Sequence, residues 1–163
     1  MKHKFIILFI LLIILSGCTG RNDNISVPVS FYYIQNEVEF GTDAVIIKKT
    51  TREAKGHEGD YTNIINQYLN GPITYDCTSP FPAGTTLKEL HWDQSRVQIV
   101  LSPEITTLSG VDLMLACGCL TKTVTELIGV DTVQIRSSSG LINGESILTF
   151  QAEDFLYLDE ITS

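Results

Sequence analysis

Apolar residues recur with the period of an α-helix in two stretches of the chain. The first stretch follows Asp60, a residue type that often caps a helix N-terminus, and ends at Gly71-Pro72, because proline cannot continue a helix. Its apolar positions have the spacing of a single helix face, and they are Tyr61, Ile64, Ile65, Tyr68 and Leu69. The pattern predicts an amphipathic helix over residues 61–69.

The second helical stretch is longer. Ser109 is its candidate N-cap, Asp112 stands three residues later as the acidic form of a capping box, and Gly129 ends the pattern. One stripe along this helix is apolar and comprises Leu113, Cys117, Leu120, Val124, Leu127 and Ile128. We expect this stripe to face the core, and the opposite side, with Leu115, Cys119 and Thr123, to face solvent.

Segments rich in β-branched and aromatic residues are predicted as strands. They lie at residues 27–34, 44–50, 87–92, 96–101, 132–136 and 145–151, with a hairpin turn at 93–95. Residues 38–40 could pair back on the first strand, whereas residues 51–59 and 73–86 have the composition of turns and loops. Residues 152–163 mix aromatic with acidic side chains, which leaves an edge strand and a loosely docked tail as alternatives.

The N-terminus has the organisation of a signal peptide. Residues 2–4 (KHK) form a short basic region, and residues 5–15 are 11 consecutive apolar residues. A helix of that length spans about 16 Å, roughly half of a bilayer core, which is short for a membrane anchor. The next residues, 15–18 (LSGC), resemble the lipobox of bacterial lipoproteins.

The lipobox resemblance implies that Cys18 is the lipidated residue, since its thiol is the group that accepts the diacylglycerol. Cleavage before Cys18 would make residues 1–17 a lipoprotein signal peptide and residues 18–27 a lipidated tether. Acyl chains would then hold the protein at the cell membrane, on its extracytoplasmic face. The alternative is an ordinary signal peptide that carries a cysteine at this position by chance.

The charge balance argues against one class of partner and restricts how the chain can meet a membrane. Its 163 residues include 11 Lys and Arg against 19 Asp and Glu, a formal net charge of −8 at pH 7. A nucleic-acid-binding protein needs a basic face, so we expect no nucleic-acid partner. Anionic headgroups repel an acidic domain, so attachment must depend on the acyl chains rather than on a polybasic patch.

Three further cysteines are the main candidates for chemistry. Cys117 and Cys119 are two residues apart on a helix and point about 200° apart, so they cannot pair with each other. A buried, inert Cys117 is one interpretation, and a disulfide from Cys77 to either helical cysteine is another in an oxidising compartment. A zinc site would need a fourth ligand, for which His57 and His91 are the remaining candidates in the mature chain, and we expect no metal.

The sequence carries no arrangement typical of catalysis. No Ser, His and Asp fall into a nucleophile pattern, and no glycine-rich loop follows a strand in the manner of a phosphate-binding site. Neighbouring carboxylates such as Glu153 and Asp154 lie in a charged segment typical of a solvated surface. We therefore expect no catalytic residue and no cofactor.

Six short motifs, in order along the chain, resemble the GerMN domain of sporulation and spore-germination proteins. They lie at residues 31–33 (FYY), 68–72 (YLNGP), 81–85 (FPAGT), 97–102 (VQIVLS), 120–127 (LTKTVTEL) and 129–135 (GVDTVQI). The likeness extends over residues 29–150. Each motif shapes the fold rather than a reaction: Gly71-Pro72 ends a helix, and Pro82 and Gly84 shape a loop.

This resemblance implies a single small α+β domain, with two helices packed on one mixed or antiparallel sheet, similar to the ring-building motif of secretion and sporulation assemblies. Residues 28–151 are then expected to be the GerMN-like domain, and residues 152–163 an acidic C-terminal tail.

The resemblance also implies a non-enzymatic interaction module that acts in sporulation, germination or envelope assembly. Its partners would be other copies of itself or envelope proteins, and its contact surface would be the solvent side of the second helix around Leu115, Cys119 and Lys122. Two alternatives from other classes remain: a lipoprotein that binds a small ligand or a glycan, and an envelope enzyme.

Overall fold

The computed structural model describes residues 26–37 and 46–158. Along the chain, this part comprises β1 Ser26–Gln35, β2 Ile47–Lys55, α1 Tyr61–Leu69, β3 Cys77–Thr78, β4 Leu87–Trp92, β5 Arg96–Leu101, α2 Gly110–Ile128, β6 Thr132–Ser137 and β7 Leu148–Gln151. Two 3₁₀ segments, Pro103–Thr107 and Ala152–Leu158, follow β5 and β7. The predicted α+β class with two α-helices is confirmed.

The strands form two sheets, where the sequence led us to expect one. The first sheet is antiparallel with the order β2-β1-β3, and the second has the order β4-β5-β6-β7. In the second sheet β5 and β6 are parallel, and the other pairs are antiparallel. Parallel neighbours need a long crossover connection, which here contains α2.

Helix α2 contacts both sheets, through β1 of the first sheet and through β6 and β7 of the second. Every residue from Ala116 to Val124 is buried as a result. The expectation that the Cys119 and Thr123 side faces solvent is therefore wrong. A helix that packs on a single sheet has one solvent-exposed face, whereas this helix is covered on both sides.

Thr123 accepts a hydrogen bond from β1 on the covered side of α2. Strand β3 pairs with β1 only at Ile34 and Gln35, so it does not reach the middle of β1. There the backbone N–H of Tyr32 donates to the Thr123 hydroxyl at 3.0 Å. The threonine thus satisfies an edge donor that would cost free energy if it were buried without a partner.

Aromatic residues join α1 to β1. Phe31 and Tyr33 alternate with Tyr32 along the strand and are fully buried, and their rings lie 5.5 Å and 5.1 Å from the Tyr68 ring of α1. The Tyr33 hydroxyl donates to the Tyr68 carbonyl, and the Tyr68 hydroxyl donates to the Tyr32 carbonyl, each at 3.0 Å. These reciprocal bonds let two buried hydroxyls remain inside the core.

Most predicted boundaries agree with the structure. The limits of α1, β4 and β5 are those expected, and α2 ends at Gly129, whose φ of 78° suits a residue without a side chain. Neither Asp60 nor Ser109 makes a side-chain capping hydrogen bond, so the proposed caps act only through their backbone positions.

Three segments differ from expectation. Strand β2 continues to Lys55 through residues predicted as a turn, because residues 51–55 pair with the start of β1. Strand β7 begins at Leu148 rather than at residue 145, since Glu145 closes a turn with Ile142. Residues 152–158 are neither an edge strand nor a loose tail, since they form a 3₁₀ segment with a fully buried Phe155. Residues 38–45, with the predicted pairing at 38–40, lie outside the described residues.

Candidate interaction surface

The proposed lipidation site, Cys18, lies outside the described residues, which begin at Ser26. The chain therefore enters the described domain at the start of β1, and we call the end of the domain around Ser26 the tether end. Among the described residues, no helix is both long and apolar enough to cross a membrane. The lipid anchor stays a prediction from the sequence.

The three residues of the predicted contact surface on α2 do not form one exposed surface. Cys119 is fully buried and Lys122 is only 7% exposed, while Leu115 is partly buried. Cys119 lies on the side of α2 that meets the first sheet, near Tyr33 and Tyr68. Burial is the main cause that raises the pKa of both tyrosine hydroxyls, and Cys119 adds to the increase. Leu115 lines an open groove beside Val111 and Met114 near the start of α2, whereas Lys122 lines a separate polar cleft.

The three cysteines of the domain are free thiols, and all are buried. Burial raises the pKa of the Cys117 thiol to about 12, and burial followed by the nearby Asp76 charge raises the pKa of Cys77. A thiol reacts as its thiolate, so the raised pKa values make Cys77 and Cys117 poorly reactive at neutral pH. The structure supports the interpretation of Cys117 as a small buried apolar residue, and Cys77 forms no disulfide with either of the other two described cysteines.

A polar cleft of about 570 Å³ opens where the C-terminal half of α2 meets β1 and the residues after β7. Its lining includes Tyr32, Lys122, Glu126, Asp131 and Glu153. The side chain of Tyr32 points to this cleft because it alternates with the buried side chains of Phe31 and Tyr33.

Tyr32 and Glu126 form the centre of the cleft. The Tyr32 hydroxyl donates to Glu126 Oε2 at 2.8 Å, and Lys49 Nζ donates to Oε1 at 2.7 Å. The Nζ atoms of Lys122 and Lys49 lie 5.7 Å and 5.8 Å from the centroid of the Tyr32 ring, within the range of cation–π attraction. The ring, the two ammonium groups and the carboxylate form one connected set, which we call the Tyr32 cluster.

The electrostatics of the cluster keep Glu126 ionised. Burial alone would raise the pKa of Glu126, but hydrogen bonds from Lys49, Tyr32 and Ser30 outweigh burial and lower it. A carboxylate held in this way is a poor general acid or base near neutral pH. The arrangement is suited to hold polar groups in place and offers no activated nucleophile.

The remaining candidates for metal or acid–base chemistry are dispersed. His91 lies 3.3 Å from Glu89 on an exposed strand, and His57 lies in the turn before α1. Within residues 26–37 and 46–158, no group of three or more His, Cys, Asp or Glu side chains could hold a metal ion.

The Tyr32 cluster was missed at the level of sequence. Lys122 and Glu126 have the i, i+4 spacing of neighbours on one helix face, which is a visible signal. Tyr32 is equally visible as the residue that alternates with two aromatic neighbours. The signal that would join them is which face of α2 meets β1, and this contact joins residues more than 90 positions apart.

Solved structures of known proteins share this fold. The tandem GerMN domains of the sporulation protein GerM from Bacillus subtilis superpose with a TM-score of 0.58 at 19% identity, covering 80% of this chain and 47% of that chain. This chain thus spans about half the length of the tandem protein. The first GerMN domain of the same protein gives a TM-score of 0.57 at 18% identity, covering 74% of this chain and 91% of that one.

A crystal structure described as a candidate lipoprotein from Clostridium perfringens is similar over 85% of this chain and 95% of that chain, with a TM-score of 0.49 and 18% identity. No curated protein matches the sequence.

The family model matches residues 30–145, which is more than half of the chain and nearly the whole of the described domain. Its match begins within β1 and ends at the turn before β7. The chain belongs to the Germane family, whose description is sporulation and spore germination.

Proposed function

We propose that this chain is a non-enzymatic lipoprotein, held by Cys18 on the extracytoplasmic face of the membrane, whose GerMN domain binds other proteins during sporulation or germination. The observation that carries the proposal is the Germane family match over residues 30–145. The signal sequence and lipobox of residues 2–18 support the anchor. The tandem GerMN domains of a sporulation protein, which share the fold, support the process.

Two physical observations agree with a binding role. The titratable groups of the Tyr32 cluster are paired with one another, and burial raises the pKa of the Cys77 and Cys117 thiols, so neither set supplies an activated group for a reaction. The fold also places a long helix between two sheets, which makes a rigid body suited to present surfaces to partners.

The test of the process is deletion of the gene followed by counts of heat-resistant spores and by germination assays. We expect fewer spores or slower germination, restored by the wild-type gene. Normal spore numbers and normal germination in the deletion strain would overturn a role in this process.

The test of the anchor is Cys18→Ala, with Thr19→Ala as the matched control at the next position. We expect Cys18→Ala to release the protein from the membrane fraction or to leave its precursor uncleaved, and Thr19→Ala to remain processed and membrane-bound. Globomycin, which inhibits the lipoprotein signal peptidase, should reproduce the uncleaved form in wild-type cells. Unchanged size and membrane retention in Cys18→Ala and in treated cells would refute lipidation at Cys18.

The polar cleft favours one second candidate, a lipoprotein that binds a small polar ligand or a glycan. Its lining carries both signs of charge and a tyrosine hydroxyl, which suits a neutral, hydroxyl-rich or zwitterionic molecule. Titration with defined cell-wall muropeptides, monitored by NMR shifts, tests this candidate. Saturable NMR shifts with an affinity that Tyr32→Phe lowers would favour ligand binding over the protein-binding role.

A further inference from the structure

The first turns of α2 carry apolar side chains that the fold leaves open. Val111 is 73% exposed, and Met114 is also exposed. They border a groove of about 490 Å³, which we call the apolar groove, whose described lining is Ile46, Gly110, Val111, Leu113, Met114, Leu115 and Asn143. None of these lining residues is charged. Exposed apolar surface collected in one concave place is a mark of a binding surface.

The apolar groove lies at the end of the domain opposite to the tether end. Helix α2 and β1 run in opposite directions, as two contacts show. Glu126 near the end of α2 accepts a hydrogen bond from the Tyr32 hydroxyl, whereas the start of α2 lies beside Ile46. Ile47, the next residue, pairs with Ile34 near the far end of β1. Nine steps of about 3.3 Å lead along β1 from Ser26 to Gln35, whose backbone N–H donates to the Ile46 carbonyl, so about 30 Å separates Ser26 from the groove.

The length of the tether limits what the groove can reach. Eight peptide steps join Cys18 to Ser26, and they span at most about 29 Å when fully extended. This reach is about equal to the distance along β1, so the groove is held away from the membrane when β1 stands along the membrane normal.

The charges around the apolar groove indicate which kind of molecule could occupy it. Exposed Asp112 stands next to Val111, and Glu145 follows Asn143 by two residues. Lys48, two residues after the groove residue Ile46, is paired with Asp76, with Nζ 2.8 Å from Oδ2, so that pair adds no net charge. The chain as a whole is acidic. An apolar groove with an acidic border on an acidic protein favours an apolar segment with basic flanks and repels another copy of itself.

We propose that the apolar groove docks an apolar, basic-flanked segment of another extracytoplasmic protein, which it meets on the side that faces away from the membrane. The orientation rests on the anchor proposed above, whereas the binding chemistry does not.

The experiment uses the full-length lipidated protein in phosphatidylcholine vesicles, which carry no net charge that would attract a basic peptide. Two fluorescent peptides with the same leucine-rich core, one flanked by lysines and one by glutamates, serve as probes. We expect the lysine-flanked peptide to bind at least about tenfold more tightly by anisotropy, and neither peptide to bind empty vesicles.

Variants identify the site. Val111→Ser and Met114→Ser should each weaken binding of the lysine-flanked peptide about fivefold or more, since each removes an apolar contact without adding charge. Ile73→Ser is the matched control, because Ile73 is also 73% exposed and does not line the groove. Asp112→Asn should weaken the binding of the lysine-flanked peptide but not that of the glutamate-flanked peptide, and it should reduce the dependence of that binding on salt concentration.

Several outcomes would overturn the proposal. These are no binding, equal binding of both peptides, or equal effects of Val111→Ser and Ile73→Ser. Self-association that Val111→Ser abolishes would instead assign the groove to a second copy. A photo-crosslinker at position 114 that reacts only with residues 38–45 of its own chain would assign it to that segment, and Val111-dependent binding to protein-free anionic vesicles would assign it to lipid.

Failure here and failure of the proposed function are separable. Peptide binding that depends on Val111 would stand even if the deletion strain sporulated and germinated normally. Loss of spores on deletion, with no peptide bound, would leave the function and reject the groove.

Discussion

Gly118 lies where α2 comes closest to its neighbours, and its substitution by alanine tests the packing of the domain. A Cβ atom added at this position would lie 2.9 Å from Phe155 Cδ1 and 3.2 Å from Ile47 Cδ1. The Ile47 atom is the end of a flexible side chain and can move. The Phe155 ring is fully buried, with its centroid 5.2 Å from that of Phe150, so it has little room to retreat.

Two opposing effects determine the stability of Gly118→Ala. Alanine favours the helical backbone by about 0.8–1.0 kcal/mol relative to glycine. Overpacking of a tight core costs about 1–3 kcal/mol. We therefore expect a net loss of roughly 0–2 kcal/mol in the free energy of unfolding, whereas an exposed helical glycine would gain stability from the same change.

Guanidinium unfolding of the purified protein, monitored by circular dichroism, measures the effect. In a Phe155→Leu background the obstructing ring is absent, so Gly118→Ala should cost less or become stabilising, with a coupling of about 0.5–3 kcal/mol. The control background is Phe81→Leu, since Phe81 is buried against Tyr68 of α1, and the two changes should add within about 0.5 kcal/mol. Stabilisation by Gly118→Ala in the wild-type background would refute the close approach of Phe155 to α2.

Three further predictions follow from the burial and charges of the domain. Leu120→Asp and Thr123→Asp should both lower the free energy of unfolding by about 3 kcal/mol or more, because both residues are fully buried. Urea unfolding measures the effect, and a mild effect of Thr123→Asp would contradict the burial of α2 on both sides. Cys117 and Cys119 should react with a thiol reagent only at the rate of unfolding, and rapid labelling of the native protein would contradict their burial. A hydrogen bond from Lys48 is the main cause that lowers the pKa of Asp76 from 3.8 to about 2, so the ionised carboxylate stabilises the fold above pH 4, and this stabilisation is lost as the pH falls to 2. Asp76→Asn should therefore flatten the pH dependence of the free energy of unfolding between pH 4 and 2, and an unchanged curve would contradict the ion pair.

The sequence predicts those parts of the fold that are encoded locally. The limits of α1 follow from five apolar positions and from Gly71-Pro72, and the end of α2 follows from Gly129, which adopts a φ that favours glycine. The hairpin of β4 and β5 follows from two apolar runs around a polar turn, which Asp93 closes by accepting hydrogen bonds from the backbone N–H groups of Ser95 and Arg96. In each case the residues that decide the structure lie within a few positions of each other.

The parts that sequence reasoning missed depend on contacts between distant residues. The stripe on α2 correctly identified Leu113, Leu120 and Val124 as buried, but it implied one covered face. The second cover comes from β1, some 90 residues earlier, and it buries Cys119. Phe155 was assigned to a tail for the same reason, because its partner Gly118 lies 37 positions away.

Helix α2 connects the core to both candidate surfaces. Its last turns supply Lys122 and Glu126 to the polar cleft, and its first turns supply Val111 and Met114 to the apolar groove. A helix of 19 residues is about 28 Å long, and its middle is enclosed from Ala116 to Val124. Such a helix cannot bend without opening the core, so the two surfaces are held at a fixed separation. If the groove docks a partner away from the membrane, the buried residues of α2 therefore fix the distance between that partner and the polar cleft.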